Sequence, residues 1–261
     1  MNYMNQQIMN QSRNRRKFIK SASVGVIASL SIPSILSTAF AAESSKKAVL
    51  NQDDIILFQG DSITEWGRDK NKTKANDFGS LGSGYVLLTA TSVLREYADK
   101  NLSIYNKGIS GNKVFQLADR WDTDTLALKP NVLSIMVGVN DYWHTITNGY
   151  KGTIDTYRDD YRKLIERTQA ALPGVKLIIG EPFAMKDVKA VDASWYPAFD
   201  GYRQVSRDIA SEYSAAFIPY QSVMDEALKS APATYWSLDG VHPSPAGASL
   251  MAYAWMKAVK G

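Results

Sequence analysis

Five short apolar runs constrain this chain more than any other feature: Asp54 to Phe58, Leu102 to Asn106, Val132 to Val137, Val175 to Ile179 and Ala215 to Ile218. They are largely continuous rather than alternating, so they predict strands buried on both faces. That requires a parallel sheet with helices packed on each side. Helical spacing fills the intervals. Tyr85 to Lys100 puts Val86, Leu87, Ala90, Val93, Leu94 and Tyr97 on one side, and Thr153 to Leu172 repeats the pattern with Ile154, Tyr157, Tyr161, Leu164 and Ile165. Further helices are predicted over Val114 to Leu128, Phe199 to Tyr213, Ser222 to Lys229, and from Ser244 or Pro245 to Val259. The segments Gly60 to Gly84 and Glu181 to Ala198 read as loops. No repeat, low-complexity linker or second core interrupts the series. The expectation is an α/β fold, a single three-layer α/β/α domain with a five-stranded parallel sheet.

The formal charge of +4 does not describe that domain. Residues 1–42 carry Arg13, Arg15, Arg16, Lys17 and Lys20 and no acid, and without them 25 basic residues face 26 acidic ones. Basic character therefore gives no argument for nucleic-acid binding. The N-terminus instead has the order of an export signal: a positive segment, an apolar stretch from Ala22 to Phe40, then Ala39-Phe40-Ala41, a small-x-small cleavage pattern. Pro33 and the many Ser and Gly residues argue against a permanent membrane anchor. Arg15-Arg16-Lys17-Phe18-Ile19-Lys20 also resembles the twin-arginine export motif, with Asn14 where Ser or Thr is usual and Ile19 where Leu is usual. That resemblance implies a bacterial protein exported already folded. The expected division is residues 1–41 as the export signal and 42–261 as the domain, with no stable membrane insertion once the signal is removed and a location in the periplasm or outside the cell.

In an open parallel sheet, ligands sit beyond the carboxyl ends of the strands. The polar oddities of this sequence fall there. Gly60-Asp61-Ser62 follows the first predicted strand, Asn106-Lys107-Gly108-Ile109-Ser110-Gly111-Asn112 the second, and Gly138-Val139-Asn140-Asp141 the third; Asp239-Gly240-Val241-His242 lies near the end of the chain. Each alone suits a turn or a helix cap. Together they supply the parts of one reaction. A serine hydroxyl needs a base to become a nucleophile, and histidine is the usual base near neutral pH. Of the two histidines in the chain, His242 follows Asp239 at a spacing that lets the carboxylate orient the ring. Ser62 would attack an acyl carbon, with His242 as base and then acid. The backbone N–H groups of Ser62 and Gly111 and the side-chain amide of Asn140 would form the oxyanion hole.

These four blocks resemble the SGNH, or GDSL-type, serine hydrolases, whose pattern is a Ser in Gly-Asp-Ser, a Gly in the second block, an Asn in Gly-x-Asn-Asp and a late Asp-x-x-His. The resemblance implies Ser62, Asp239 and His242 as the catalytic set, Ser62, Gly111 and Asn140 as oxyanion donors, a flavodoxin-like sheet and a shallow, open site. Ile63 stands where the older motif has Leu. The Gly-x-Ser-x-Gly elbow of ordinary α/β-hydrolases is absent. Gly60 to Asp141 is also similar to carbohydrate-esterase-type members, which implies O-acetyl groups on a polysaccharide as substrate. A lipase or general carboxylesterase, a glycan O-acyltransferase and a non-catalytic glycan-binding module are the alternatives, and the intact five-residue set argues against the last.

Other residues are less decisive. His144, four residues after Asn140, could line the mouth of the site, but a surface or packing histidine is the favoured reading. Tyr142, Trp143, Trp195, Tyr196, Tyr235 and Trp236 suit sugar stacking and core packing equally. Arg68 and Lys107 are either substrate contacts or solvated surface. With two histidines and no cysteine, soft metal ligands are scarce, so neither metal nor cofactor is expected.

Overall fold

A computed structural model describes residues 31–41 and 46–261 of the protein. Its centre is a five-stranded, wholly parallel sheet: β1 (Ile55–Gly60), β2 (Ser103–Asn106), β3 (Val132–Met136), β4 (Lys176–Gly180) and β5 (Ala216–Ile218), in spatial order β2-β1-β3-β4-β5. Register is fixed by pairs such as Phe58 with Asn106 and Gly60 with Met136. Each strand lies within about two residues of its predicted position. Ile56, Leu57 and Phe58 of β1 and Val132, Leu133 and Ile135 of β3 are wholly buried, as two-sided coverage requires.

Two polar residues enter this core with partners, as burial demands. Gln59 donates from Nε2 to Thr125 Oγ1 at 2.8 Å, and Ser134 Oγ accepts from the indole of Trp255 at 3.0 Å. One face of the sheet carries α3 (Tyr85–Glu96), α8 (Tyr220–Ala227) and α9 (Pro245–Lys257); the other carries α4 (Val114–Asp119), α6 (Ile154–Ala171) and α7 (Ala198–Glu212). Between these lie α2 (Ser62–Glu65) and α5 (Val139–Thr147). The short strands Ala48–Val49 and Val259–Lys260 pair separately.

Two readings need correction. The predicted helix from Val114 to Leu128 is three short pieces, Val114–Asp119, Trp121–Asp124 and Leu126–Leu128. Its middle breaks because the Arg120 guanidinium turns back onto Lys107 O (2.8 Å) and Asn112 Oδ1 (2.9 Å), drawing the turn toward the second polar loop. The segment after β1 is not purely loop, since Ser62–Glu65 and Phe78–Leu81 are helical.

Most of the expected signal, residues 1–30 and the junction 42–45, lies outside the described residues. Its far end is helix α1 (Ile32–Phe40), with Pro33 in the first turn, where a missing N–H costs nothing. Ile35, Leu36 and Ala39 are buried against α8 and α9. Among the described residues, no helix is long and apolar enough to cross a membrane.

The order β2-β1-β3 carries the functional consequence. The chain leaves β1 toward β2 on one side and later returns to β3 on the other, so the loops after β1 and β3 diverge and leave a crevice at the carboxyl edge.

Candidate active site

Ser62 is the first residue of α2, immediately after β1. The strand runs close under the turn that carries the serine, and a Cβ at Gly60 would collide with the Met136 carbonyl and the Thr64 hydroxyl. Asp61 caps α2 by accepting from the Ile63 N–H at 3.0 Å. The Ser62 hydroxyl is thereby held at the mouth of the crevice, half-buried, 2.8 Å from His242 Nε2.

His242 sits on a loop with little freedom. Ser237 Oγ donates to His242 O and accepts from Gly240 N, while Leu238 N also donates to His242 O. Asp239 Oδ1 accepts from the backbone N–H groups of Val241 (2.9 Å) and His242 (2.8 Å), and its Oδ2 lies 2.7 Å from His242 Nδ1. Burial raises the Asp239 pKa, but those donors outweigh it and hold the carboxyl below its ordinary range. An ionised carboxylate only accepts, so the imidazole proton belongs on Nδ1 and Nε2 is free to accept from Ser62. This is the orientation a general base needs.

The two other expected donors lie on the loop after β2 and on α5. Gly111 has φ of 77°, a left-handed conformation in which glycine carries no penalty. Neither the Ser62 nor the Gly111 amide donates to a protein group among the described residues. Asn140, buried in the first turn of α5, gives one amide hydrogen to Asn112 O at 3.3 Å and keeps the other available. The structure therefore brings Ser62, Gly111, Asn140, Asp239 and His242 to one edge, although they span 181 positions of sequence.

The loop bearing Gly111 is clamped along its length. Asn106 accepts from Gly108 N at 2.9 Å and donates to the carbonyls of Thr64 and Leu81. Arg68 Nη2 donates to Gly108 O at 2.8 Å, and Arg120 holds Lys107 O and Asn112. Glu65 accepts from the Ser110 N–H and pairs with Lys70. Arg68 is thus not free surface, since it clamps the loop, and Lys107 lies 3.6 Å from Asp124.

The aromatic residues divide. Trp195, Tyr142 and Trp236 are buried; Tyr142 packs on Trp195, Phe199 and Tyr202 with ring centroids 5.3–5.6 Å apart. Trp143 reaches the site, 6.4 Å from the His242 ring. The sequence reading missed Trp66, which is exposed and 5.3 Å from His242. Its place four residues after Ser62, at the end of a one-turn helix, was the available signal. Beyond Trp66 a groove of about 430 Å³ is lined by Leu88, Leu238, Pro243 and Ala248. His144 is not an outlying surface histidine, since its ring stands beside Gly111.

Comparison with known proteins agrees with this geometry. Residues 58–250 match the model of the GDSL-like Lipase/Acylhydrolase family. An acetylxylan esterase of Geobacillus stearothermophilus is 33% identical over 208 residues, covering 78% of this chain and 93% of that protein. Its crystal structure aligns with a TM-score of 0.73 over 81% of this chain and 96% of its own. A protein of Parabacteroides merdae described as a GDSL-like lipase is 52% identical, with a TM-score of 0.81 over 82% of this chain and 98% of its own. Substitutions described as catalytic mutants of the Geobacillus esterase fall on a Ser, an Asp and a His, the last two three residues apart.

Proposed function

The chain belongs to the GDSL-like lipase/acylhydrolase family and is a carboxylic ester hydrolase, and on that footing we propose an exported serine esterase that removes O-acetyl groups from a polysaccharide. The observation that carries the reading is the hydrogen-bonded run from Ser62 through His242 to Asp239, at 2.8 and 2.7 Å.

In the proposed reaction, Ser62 Oγ attacks the acyl carbon as its proton passes to His242 Nε2. Asp239 stabilises the imidazolium that forms. The carbonyl oxygen gains negative charge and takes hydrogen bonds from the Ser62 and Gly111 N–H groups and the Asn140 amide, in a site where they need no reorganisation. Collapse breaks the bond to the alcohol oxygen, which takes the proton from His242 and leaves an acetyl ester on Ser62. Water enters, gives a proton to His242 and attacks the same carbon; acetate leaves and Ser62 recovers its proton.

A glycan substrate is supported by the acetylxylan esterase relative and by two aromatic faces, Trp66 and Trp143, flanking His242. Flat aromatic faces suit the apolar faces of pyranose rings. Export is supported by the Arg15-Arg16 segment and the Ala39-Phe40-Ala41 pattern.

Acetate release from acetylated xylan, measured beside acetylated pectin and p-nitrophenyl esters of rising chain length, tests the proposal. Release from a polysaccharide with a steep fall in rate beyond short acyl chains is expected. Preference for long-chain esters, with no acetate from either polymer, would replace it with a lipase.

A further inference from the structure

His144 occupies the same face of α5 as Asn140, one turn further along. A Cβ placed on Gly111 would have only one heavy atom within 4 Å outside its own stretch of chain, the Cε1 of His144 at 3.7 Å. The imidazole edge thus borders the open side of the residue whose N–H is proposed as an oxyanion donor.

The other edge of the ring is fixed by Lys113. This lysine is 8% exposed and its Nζ lies 3.0 Å from His144 Nδ1 and 3.1 Å from Gln116 Oε1. Its remaining side faces aromatic rings, 5.1 Å from the centre of Tyr150 and 5.6 Å from that of Phe115, which stack on each other. No carboxylate among the described residues forms an ion pair with it. The charge of Asp141 favours the ammonium without pairing with it directly and burial opposes it, so its direct partners matter. An ammonium can only donate, so His144 Nδ1 must accept and the ring proton must sit on Nε2. That N–H has no protein partner among the described residues. The ring is a neutral donor of fixed tautomer, opposite to that of His242, at the rim of the oxyanion hole.

We propose that His144, locked by Lys113, is a specificity-determining residue that donates its Nε2–H to an oxygen of the sugar that carries the acetyl group. The inference rests on the glycan reading above and adds the residue that recognises the alcohol half of the ester. A donor unpaired in the free enzyme gains a partner when a polyol binds, whereas p-nitrophenyl acetate brings no hydroxyl to meet it.

Two measurements test this. With ¹⁵N-labelled histidine the protein has two rings to observe. The expected spectrum has the proton of His144 on Nε2 and that of His242 on Nδ1; a His144 proton on Nδ1 would overturn the proposal whatever ester is cleaved. In kinetics, His144→Phe should lower the ratio of kcat/KM for acetylated xylo-oligosaccharide to that for p-nitrophenyl acetate about tenfold, largely through KM. His144→Gln, which keeps an amide donor, should recover part of that loss. A ratio unchanged within about twofold overturns the assignment while leaving the esterase intact. A wild-type enzyme that cleaves p-nitrophenyl acetate but no acetylated sugar overturns the glycan reading, and the subsite with it.

Discussion

The carboxylate of Glu65 accepts a hydrogen bond from the backbone N–H of Ser110, linking the end of the helix that carries the nucleophile to the loop that carries the oxyanion donor. Two elements 45 residues apart in sequence are thereby held at one spacing. Burial pushes the Glu65 pKa up, but Lys70 and Ser110 outweigh that and hold the carboxyl below its ordinary range, so the charged acceptor is the form present near neutral pH.

Removing this tie should act on rate more than on binding. Glu65→Ala is expected to lower kcat on p-nitrophenyl acetate by roughly 10- to 100-fold, because small displacements of a positioned donor cost that much. KM should change little, and Glu65→Gln, which keeps an acceptor oxygen, should recover most of the rate. Equal losses in Ala and Gln would show that charge, not position, is what Glu65 supplies.

The amide of Asn140 should matter only once charge develops on the carbonyl oxygen. Asn140→Ala is expected to reduce kcat by about 10²–10³, the usual effect of losing one such donor. Steady-state kinetics with circular dichroism as a folding check decides it. A variant that stays folded and loses less than threefold would remove Asn140 from the oxyanion hole.

Asp61 and Asp141 are buried and face each other's charge. Burial raises each pKa to about 7 against opposing backbone hydrogen bonds. A carboxyl raised in the folded state keeps its proton longer than in the unfolded chain. Its stabilising contribution is complete below about pH 4 and fades as pH rises toward 7. Asp141 Oδ1 accepts from Val114 N while its Oδ2 has no partner. Asp141→Asn keeps an acceptor and cannot ionise, so it should raise Tm at pH 8 relative to wild type by an amount on the order of 1–3 kcal/mol of stability. Near pH 4 the gain should vanish. Equal effects at both pH values would mean that ionisation is not the cause.

Helix α1 occupies the far end of the proposed signal, and Ala39, in the expected cleavage pattern, is buried there. A peptidase needs that stretch extended, so α1 must leave the body before cleavage. The chain of residues 42–261 should therefore fold and keep full esterase activity, and the exported protein should begin at Ala42 by N-terminal sequencing. A first residue upstream of Ile32 would make α1 part of the working enzyme.

The sheet was legible because its strands are apolar on both sides, and Ile56, Leu57 and Phe58 could be buried in no other way. The five candidate residues could be singled out because each sits at a strand end or in a short motif with its own chemistry. What was not legible depended on tertiary contact. Arg120 breaks a helix that local propensity favours, because it bonds to Lys107 and Asn112. Arg68 and Glu65 look like ordinary surface charges until the loop they clamp is seen. His144 could be weighed for the site mouth but not settled, because its partner, Lys113, lies 31 positions away on another element.

The acyl group is expected to pass through the oxygen of Ser62. Treatment with a fluorophosphonate, followed by peptide mass spectrometry, tests it most directly. One adduct is expected, on the peptide containing Ser62, formed in step with loss of esterase activity, absent from Ser62→Ala and strongly slowed in His242→Ala. An enzyme that keeps its activity after full labelling of Ser62, or that loses activity through an adduct elsewhere, would contradict it.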